Sequence, residues 1–424
     1  MKLCLKNIGK IEDAEIEING ITVIGGENDT GKSTVGKALF SVFNSFYEIQ
    51  YQINEEKISS IQNILQYVYL GAFFTMPSQS IIINDFARKI LLAAEQYITA
   101  PNLLKEDIIS TFHLSAASNR IITDRISIED GVARIIEILQ VADEDVFKEI
   151  VLKNLSVEFC GQPLNVDSQS GGTISLQIQK EKLNISVAED SISVSGLDYH
   201  FHTKAIYIDD PFLINRAVAL RGLKRDIYPN HQEQLIDTFL NREFYNGVVD
   251  EIIVENKIKK IFEKLESVCD GKLIQQKDGL LVFQRENSDA ALNANNLSTG
   301  LKTFVILKSL LENGVIKQNG TIILDEPEIH LHPEWQLLFA EIIVLLNKEF
   351  GVNILLNTHS PYFLRAIQVY SAKYERSDVC KYYLSELDGK GKAHMTDVTD
   401  NVDKIFAKLA DPLQKLEDER WKND

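Results

Sequence analysis

The sequence predicts an α/β protein, with a mixed-sheet core, an antiparallel β portion and a helical insertion. Three observations predict it. Near the start, an apolar run enters a glycine-rich loop that opens into a helical pattern. Later, apolar runs at Ile322 and Ile354 flank a helical crossover, the arrangement that makes two strands parallel. Between these parts, residues 51–155 carry apolar residues at mostly three- and four-residue spacing.

Taken in order, Lys2-Leu3-Cys4-Leu5-Lys6 and Glu15-Ile16-Glu17-Ile18 alternate like half-buried strands. Asn19-Gly20 then predicts a hairpin into Ile21-Thr22-Val23-Ile24, because a tight primed turn needs positive φ. Val35, Ala38, Leu39, Val42 and Phe43 mark the helix after the loop. Strands are expected at Val157-Glu158-Phe159, Ile174–Ile178, Ile192–Val194 and Ile206–Ile208, with helices from there to about 268. A second hairpin is expected over Leu273–Phe283, turning on Asp278-Gly279, and a short charged amphipathic helix from Asn401.

Composition excludes several classes. The 424 residues are 45% hydrophobic, enough for a sizeable core. No apolar run reaches the roughly 18 residues of a membrane span, and the start lacks a secretory apolar stretch. Cys4, Cys160, Cys269 and Cys380 lie far apart, as single thiols of a reducing, cytoplasmic compartment do. A net charge of −17 opposes the phosphate contacts on which nucleic-acid binding depends, so nucleic acid is not the favoured partner.

Four segments carry chemistry. Gly26-Glu27-Asn28-Asp29-Thr30-Gly31-Lys32-Ser33-Thr34 lies between a strand and a helix. Its backbone N–H groups and helix N-terminus suit phosphates, Lys32 suits the β/γ-phosphates, and the Ser33 hydroxyl suits Mg²⁺. Thr321-Ile322-Ile323-Leu324-Asp325-Glu326-Pro327 reads as a buried strand tipped by two acids, Asp325 for Mg²⁺ and Glu326 for the attacking water. In Asn296-Leu297-Ser298-Thr299-Gly300-Leu301-Lys302, Ser298 caps a helix ending near Gly314, and a helix tip with a hydroxyl and a glycine attracts anions. Asn353-Ile354-Leu355-Leu356-Asn357-Thr358-His359-Ser360-Pro361 follows a helix running from Pro333 to Gly351, which puts His359 and Asp325 together at the carboxyl ends of parallel strands. In isolation the third segment also suits an ordinary capped helix, and a histidine after a strand is commonly structural; their order along this chain favours function.

That order resembles the ABC-type ATPases, in particular their SMC/RecF/OLD-like branch, where Asp325-Glu326-Pro327-Glu328-Ile329-His330-Leu331-His332-Pro333 and Thr358-His359-Ser360-Pro361 have near-identical counterparts. The likeness covers residues 1–45 and about 204–370. It implies a P-loop NTPase head formed by 1–50 and 156–424, with a signature lobe at about 212–314 and the helical insertion at 51–155. It also implies that Gly26 to Thr34 bind ATP, that Ser33 and Asp325 hold Mg²⁺, and that Glu326 and His359 serve catalysis. Ser298 and Gly300 would then complete the ATP site of a second copy, in a head-to-head dimer or higher oligomer that ATP closes and hydrolysis opens.

The sequence departs from that branch in places. Asp29 stands where a glycine is usual, bringing a carboxylate near the phosphates, though aspartate tolerates left-handed backbone. Thr299 and Leu301 alter the signature, and Tyr207-Ile208-Asp209-Asp210-Pro211 offers an acid where a glutamine is expected, so slow, switch-like turnover is predicted. The short head with a helical insertion resembles ATPase subunits of Septu-type and PARIS-type anti-phage systems, which implies a separate nuclease or toxin effector. About 60 residues follow His359 and no nuclease motif is evident, so no nuclease domain of its own is expected. The alternative is a RecF-like DNA-binding ATPase of repair or maintenance; a transporter subunit fits less well, and no membrane partner is expected. His330 and His332 lack a third metal ligand at suitable spacing. Ser170-Gly171-Gly172 reads as a hairpin turn, and Arg221-Gly222-Leu223-Lys224-Arg225 as a solvated basic turn.

Overall fold

The computed structural model describes residues 1–70, 77–112, 126–166, 168, 170–188, 191–196, 201, 203–219, 229–240, 248–276, 280–285 and 291–423. The chain divides into two compact units, Glu48–Leu152 and the remainder, Met1–Tyr47 with Lys153–Asp424.

The smaller unit is helical. It contains α2 (Ile49–Leu70), α3 (Pro77–Leu92), α4 (Ala94–Thr99), α5 (Pro101–Phe112), α6 (Ile128–Gln140) and the first turns of α7 (Asp143–Glu158), α1 belonging to the larger unit. Its core is made by Ile61, Leu65, Ile90, Leu104, Ile108 and Ile135, each fully buried. Ser127 caps α6 by accepting from Asp130 N, and the buried amine of Lys57 bonds Val141 O and Asp143.

The larger unit opens with β1 (Lys2–Ile8), β2 (Ile11–Glu17), β3 (Ile21–Gly26) and α1 (Lys32–Phe46). After α7 come β4 (Gly172–Ile178), β5 (Glu181–Val187), β6 (Ile192–Ser195) and β7 (Ala205–Ile208). A lobe follows with α8 (Leu213–Ala219), α9 (Asn230–Leu240), α10 (Val248–Glu266), β8 (Gly271–Gln275), β9 (Leu281–Arg285), β10 (Ala291–Asn293) and α11 (Thr299–Glu312). The chain then forms β11 (Thr321–Asp325), α12 (Pro333–Phe350), β12 (Asn353–Thr358), α13 (Pro361–Lys373), β13 (Cys380–Leu387), β14 (Ala393–Asp397) and α14 (Asp403–Asn423).

Eleven strands form one sheet in the order β6-β5-β4-β1-β2-β14-β13-β3-β12-β11-β7, and β8 to β10 form a small antiparallel sheet. The run β13-β3-β12-β11-β7 is parallel throughout. Both faces of β3 and β7 are buried, as helix-covered parallel strands require. By contrast β4 alternates buried and more open positions within the antiparallel wing. The fold is therefore α/β with a mixed sheet and an antiparallel portion.

Three local expectations change. Gly20 does turn with φ 68°, but β2 and β3 do not pair. Strands β14 and β13 lie between them, and Cys380 takes the place beside Ile21. The hairpin is β1–β2, closed at Ile8 and Ile11. Val157-Glu158-Phe159 is not a strand: Val157 and Glu158 finish α7, and Gly161 turns the chain with φ 82°. Ser170 and Gly171 lead into β4 from a single bridge between Ile8 and Leu164 instead of joining two strands. The expected turn at Asp278-Gly279 and the basic segment Arg221–Arg225 lie outside the described residues.

Candidate nucleotide site

The parallel strands bring the chemistry together because their carboxyl ends share one edge. β3 ends in the glycine-rich loop, β11 in Asp325 and β12 in Thr358, and each continues into a helix or a tight turn. Gly31 starts α1 with φ 85°, a conformation that suits glycine, so N–H groups of the first turn face outward. Asp29 also adopts left-handed backbone, φ 66°, and its carboxylate pairs with Lys10, which offsets the negative charge it brings to the loop.

A cavity of about 430 Å³ opens beside this loop, within the range of small-ligand pockets. Lys10, Asn28, Asp29, Gly31, Lys32, Ser33, Thr34 and Glu326 are among the residues lining it. Lys32 is almost fully buried, and its amine donates to Gly26 O at 3.2 Å and Glu27 O at 2.6 Å. Glu326 Oε1 stands 3.7 Å from that amine and 3.3 Å from His359 Nδ1. The His359 contact, with Lys32 adding to it, holds the Glu326 carboxyl below its usual range against the opposing effect of burial. His359 is correspondingly raised, chiefly by Glu326. Glu326 also adopts φ 48°, uncommon for a residue that carries a Cβ, and its N–H bonds Asn357 O at 2.9 Å.

Asp325 is fixed at both oxygens. Asn357 Nδ2 donates to Oδ1 at 2.9 Å and the Tyr207 hydroxyl to Oδ2 at 3.1 Å. Asn357 also donates to Lys32 O at 3.1 Å, which links the acid-tipped strand to the start of α1. Behind His359, the buried Glu328 accepts from the Thr358 hydroxyl and, at 3.1 Å, from His359 N. Burial pushes the Glu328 carboxyl up. Asn357 Oδ1 and His359 Nδ1 are buried atoms without an aligned hydrogen-bond partner, as polar atoms at a ligand site are.

The structure thus gathers Gly26 to Thr34, Asp325, Glu326 and His359. Ser298 and Gly300 do not line this cavity. Ser298 is exposed at the tip of α11, where its hydroxyl accepts from Leu301 N at 3.4 Å. Gly300 is buried, and a side chain there would meet His330 O at 2.9 Å and the Trp335 ring. Lys302 turns inward, donating to Asn295 O and lying over the Phe212 ring. His330 packs edge-on against Phe212, and His332 caps α12 through Nδ1, so each histidine has a structural role. Sequence reasoning missed Asn357, Tyr207 and Glu328 as supports of the site. An asparagine inside an otherwise apolar buried strand was the one signal available.

The residues fit ATP with Mg²⁺. The loop offers N–H donors and a buried lysine for phosphates, while Ser33 and Asp325 offer the hard oxygen ligands that Mg²⁺ takes.

Residues 209–365 match the family described as "AAA domain, putative AbiEii toxin, Type IV TA system". A "Putative ABC transporter ATP-binding protein" of Methanosarcina acetivorans is 32% identical over 106 residues, covering 24% of this chain and 31% of that protein. The "Retron Vc95 probable ATPase" of Vibrio cholerae serotype O1 biovar El Tor is 24% identical over 193 residues, 44% of this chain and 34% of that protein. The "OLD nuclease" of Thermus scotoductus is 27% identical over 194 residues, 40% and 36%. The chain therefore spans about a third of the length of these relatives. Among solved structures, the SMC head domain from Thermotoga maritima aligns over 94% of this chain and 98% of its own, at 12% identity and a TM-score of 0.37, too loose a likeness to bear on function. The chain thus has an α/β fold in which residues 209–365 resemble an AAA domain, with a glycine-rich loop, Asp325, Glu326 and His359 gathered at one edge of the parallel strands.

Proposed function

We propose that this chain binds ATP with Mg²⁺, hydrolyses it slowly, and uses the cycle as a switch that joins and parts two copies of itself. One observation carries the reading: Lys32, Glu326 and His359 converge within 3.7 Å contacts beside the Asp325 that Asn357 and Tyr207 hold. Bound Mg²⁺ would neutralise charge on the triphosphate, with Ser33 and Asp325 to hold it. The loop N–H groups and the α1 N-terminus cradle phosphate oxygens. Lys32, which has two carbonyl acceptors in the structure, is the cation for the β/γ-phosphates. Glu326, its carboxyl lowered by His359 and Lys32, orients the attacking water and accepts its proton. His359, tethered through Glu328, contacts the γ-phosphate side. The contacts of Glu326 with His359 and Lys32 and the carboxylate of Asp29 both favour slow turnover.

The exposed Ser298 at a capped helix tip would complete the site of a second copy, which makes catalysis depend on assembly. We extend the reading to regulation or scaffolding of a separate nuclease or toxin in anti-phage defence. The similarity to a retron ATPase and to an OLD nuclease supports this, as does a net charge of −17, which suits a protein partner better than nucleic acid.

The test is MgATP hydrolysis and light-scattering mass for wild type, Lys32→Ala, Glu326→Gln and Ser298→Arg. Wild type turns over, and Glu326→Gln falls about 10²–10³-fold while collecting as an ATP-bound dimer. Lys32→Ala and Ser298→Arg stay monomeric. Wild-type turnover no higher than that of Lys32→Ala, or a monomeric Glu326→Gln at saturating ATP, refutes the proposal. Co-purification with a separately encoded effector, with and without ATP, tests the extension.

A further inference from the structure

A buried polar cluster lies behind Asp325. His231, at the start of α9, is fully buried, with Nδ1 2.5 Å from Glu158 Oε1 and Nε2 2.9 Å from Asp209 Oδ2, the second contact close but poorly aligned. Its ring stacks on Tyr207, centroids 4.4 Å apart at 27°, and Phe40 closes the ring edge at 5.8 Å. Tyr207 is buried, and its hydroxyl donates to Asp325 Oδ2. Gly36 makes room for that hydroxyl: a Cβ there would lie 3.2 Å from it. Gln232, next to His231, also reaches Asp209, at 3.2 Å and 3.3 Å. Hence a line of contacts runs from Glu158 through His231 and Tyr207 to the acid assigned to the metal.

The His231 ring plane is held by the Nδ1 contact with Glu158 and by packing between Tyr207 and Phe40, with Asp209 close to Nε2. The tyrosine stacked on it then has one ring orientation, and its hydroxyl one direction. Burial alone would strip charge from the imidazole, yet Asp209 and Glu158 outweigh it and raise His231 to about 9. Tyr207, sealed among carboxylates, is pushed well above its usual value and remains a donor.

We infer that His231, clamped between Glu158 and Asp209, is a positioning residue for the metal site: it braces Tyr207, which sets the Asp325 carboxylate for the divalent cation. The inference rests on the proposed MgATP reaction. Groups that orient a metal ligand typically change metal affinity about 10- to 100-fold when lost.

The experiment titrates Mg²⁺ against ATP hydrolysis for wild type, Tyr207→Phe, His231→Gln and the double variant, with fluorescent ATP binding in EDTA alongside. Each single variant is expected to raise half-saturating Mg²⁺ about 10-fold, a larger change than in metal-free binding. The double variant is expected to match the worse single, because one residue acts through the other. Multiplying effects, or a His231→Gln enzyme with the wild-type Mg²⁺ response, overturn the inference. Should His231→Gln not fold, Glu158→Gln replaces it in the same cycle and the same outcomes decide. A wild type that neither binds nor hydrolyses MgATP refutes the proposed function instead, so the two failures are distinct.

Discussion

Glu341→Gln probes how the lobe bearing Ser298 is tied to the strands bearing the acids. Glu341 sits on α12, with its side chain 7% exposed, and takes Lys264 of α10 at 2.7 Å and Lys373 of α13 at 2.8 Å. The Tyr374 hydroxyl donates to it at 2.6 Å. Burial alone would raise this carboxyl, but the three donors lower it from 4.5 to about 2. At 1.36 kcal/mol for each pH unit the shift corresponds to about 3 kcal/mol. Lys264 and Lys373 are 31% and 54% exposed, so solvent screening reduces the figure to about 2 kcal/mol. The larger unit has about 320 residues, which puts the unfolding entropy near 0.7 kcal/mol/K and the fall in Tm at about 3 °C. A carboxyl lowered in the folded state stabilises fully above its unfolded value, and that stability fades as pH falls toward about 2. Thermal unfolding at pH 7.5, 5.5 and 3.5 therefore checks sign and size together. The gap between wild type and variant should be equal at the two higher values and smaller by about 40% at the lowest. A gap below about 0.5 kcal/mol at pH 7.5, or one unchanged at pH 3.5, refutes the reasoning.

Two further outcomes follow from other parts of the fold. Asp29→Gly removes a carboxylate from the cavity lining and frees Lys10, so nucleotide should bind about 2- to 5-fold tighter, and fluorescent ATP titration at low and high salt reads the change. An unchanged Kd at low salt would show that this charge does not reach the ligand. Leu65→Ala empties a fully buried position in the helical unit and should cost about 2–5 kcal/mol, seen as faster amide exchange across 48–152. Equal acceleration in β3 and β12 would mean the two units unfold as one.

Much of the site could be read from sequence because its parts are local patterns. A glycine loop between strand and helix, two acids ending an apolar run, and a histidine after another such run each fit within a dozen residues. Their meeting point also followed, since a helical crossover makes β11 and β12 parallel neighbours, in register from Thr321 with Asn353 to Asp325 with Asn357. Pairing between distant segments left no such trace. Nothing near Asn19-Gly20 indicates that β13, more than 350 residues later, lies beside β3, so a local turn signal was read as a hairpin. The short run Val157–Phe159 could not be assigned by periodicity, and the helix before it claimed it.

His359 is legible in the sequence, whereas His231 is not. His359 directly follows an apolar strand, so its place at the carboxyl edge of the sheet is readable from local pattern. His231 matters through Glu158, 73 positions earlier, through Asp209 on the loop after β7, and through the face of Tyr207. A buried histidine with three partners on three elements has no sequence signature. Asp209 stands where a glutamine was expected. In this chain Asp209 lies 2.9 Å from His231, its charge maintained against burial by that imidazole, and the direct support of Asp325 falls to Tyr207 two residues earlier. Replacing Asp209 by Gln should then not restore a faster enzyme; it should leave His231 with one carboxylate and loosen Tyr207, raising the Mg²⁺ requirement. Faster turnover in Asp209→Gln at unchanged Mg²⁺ dependence would show that the acid is a handicap and not a part of the support.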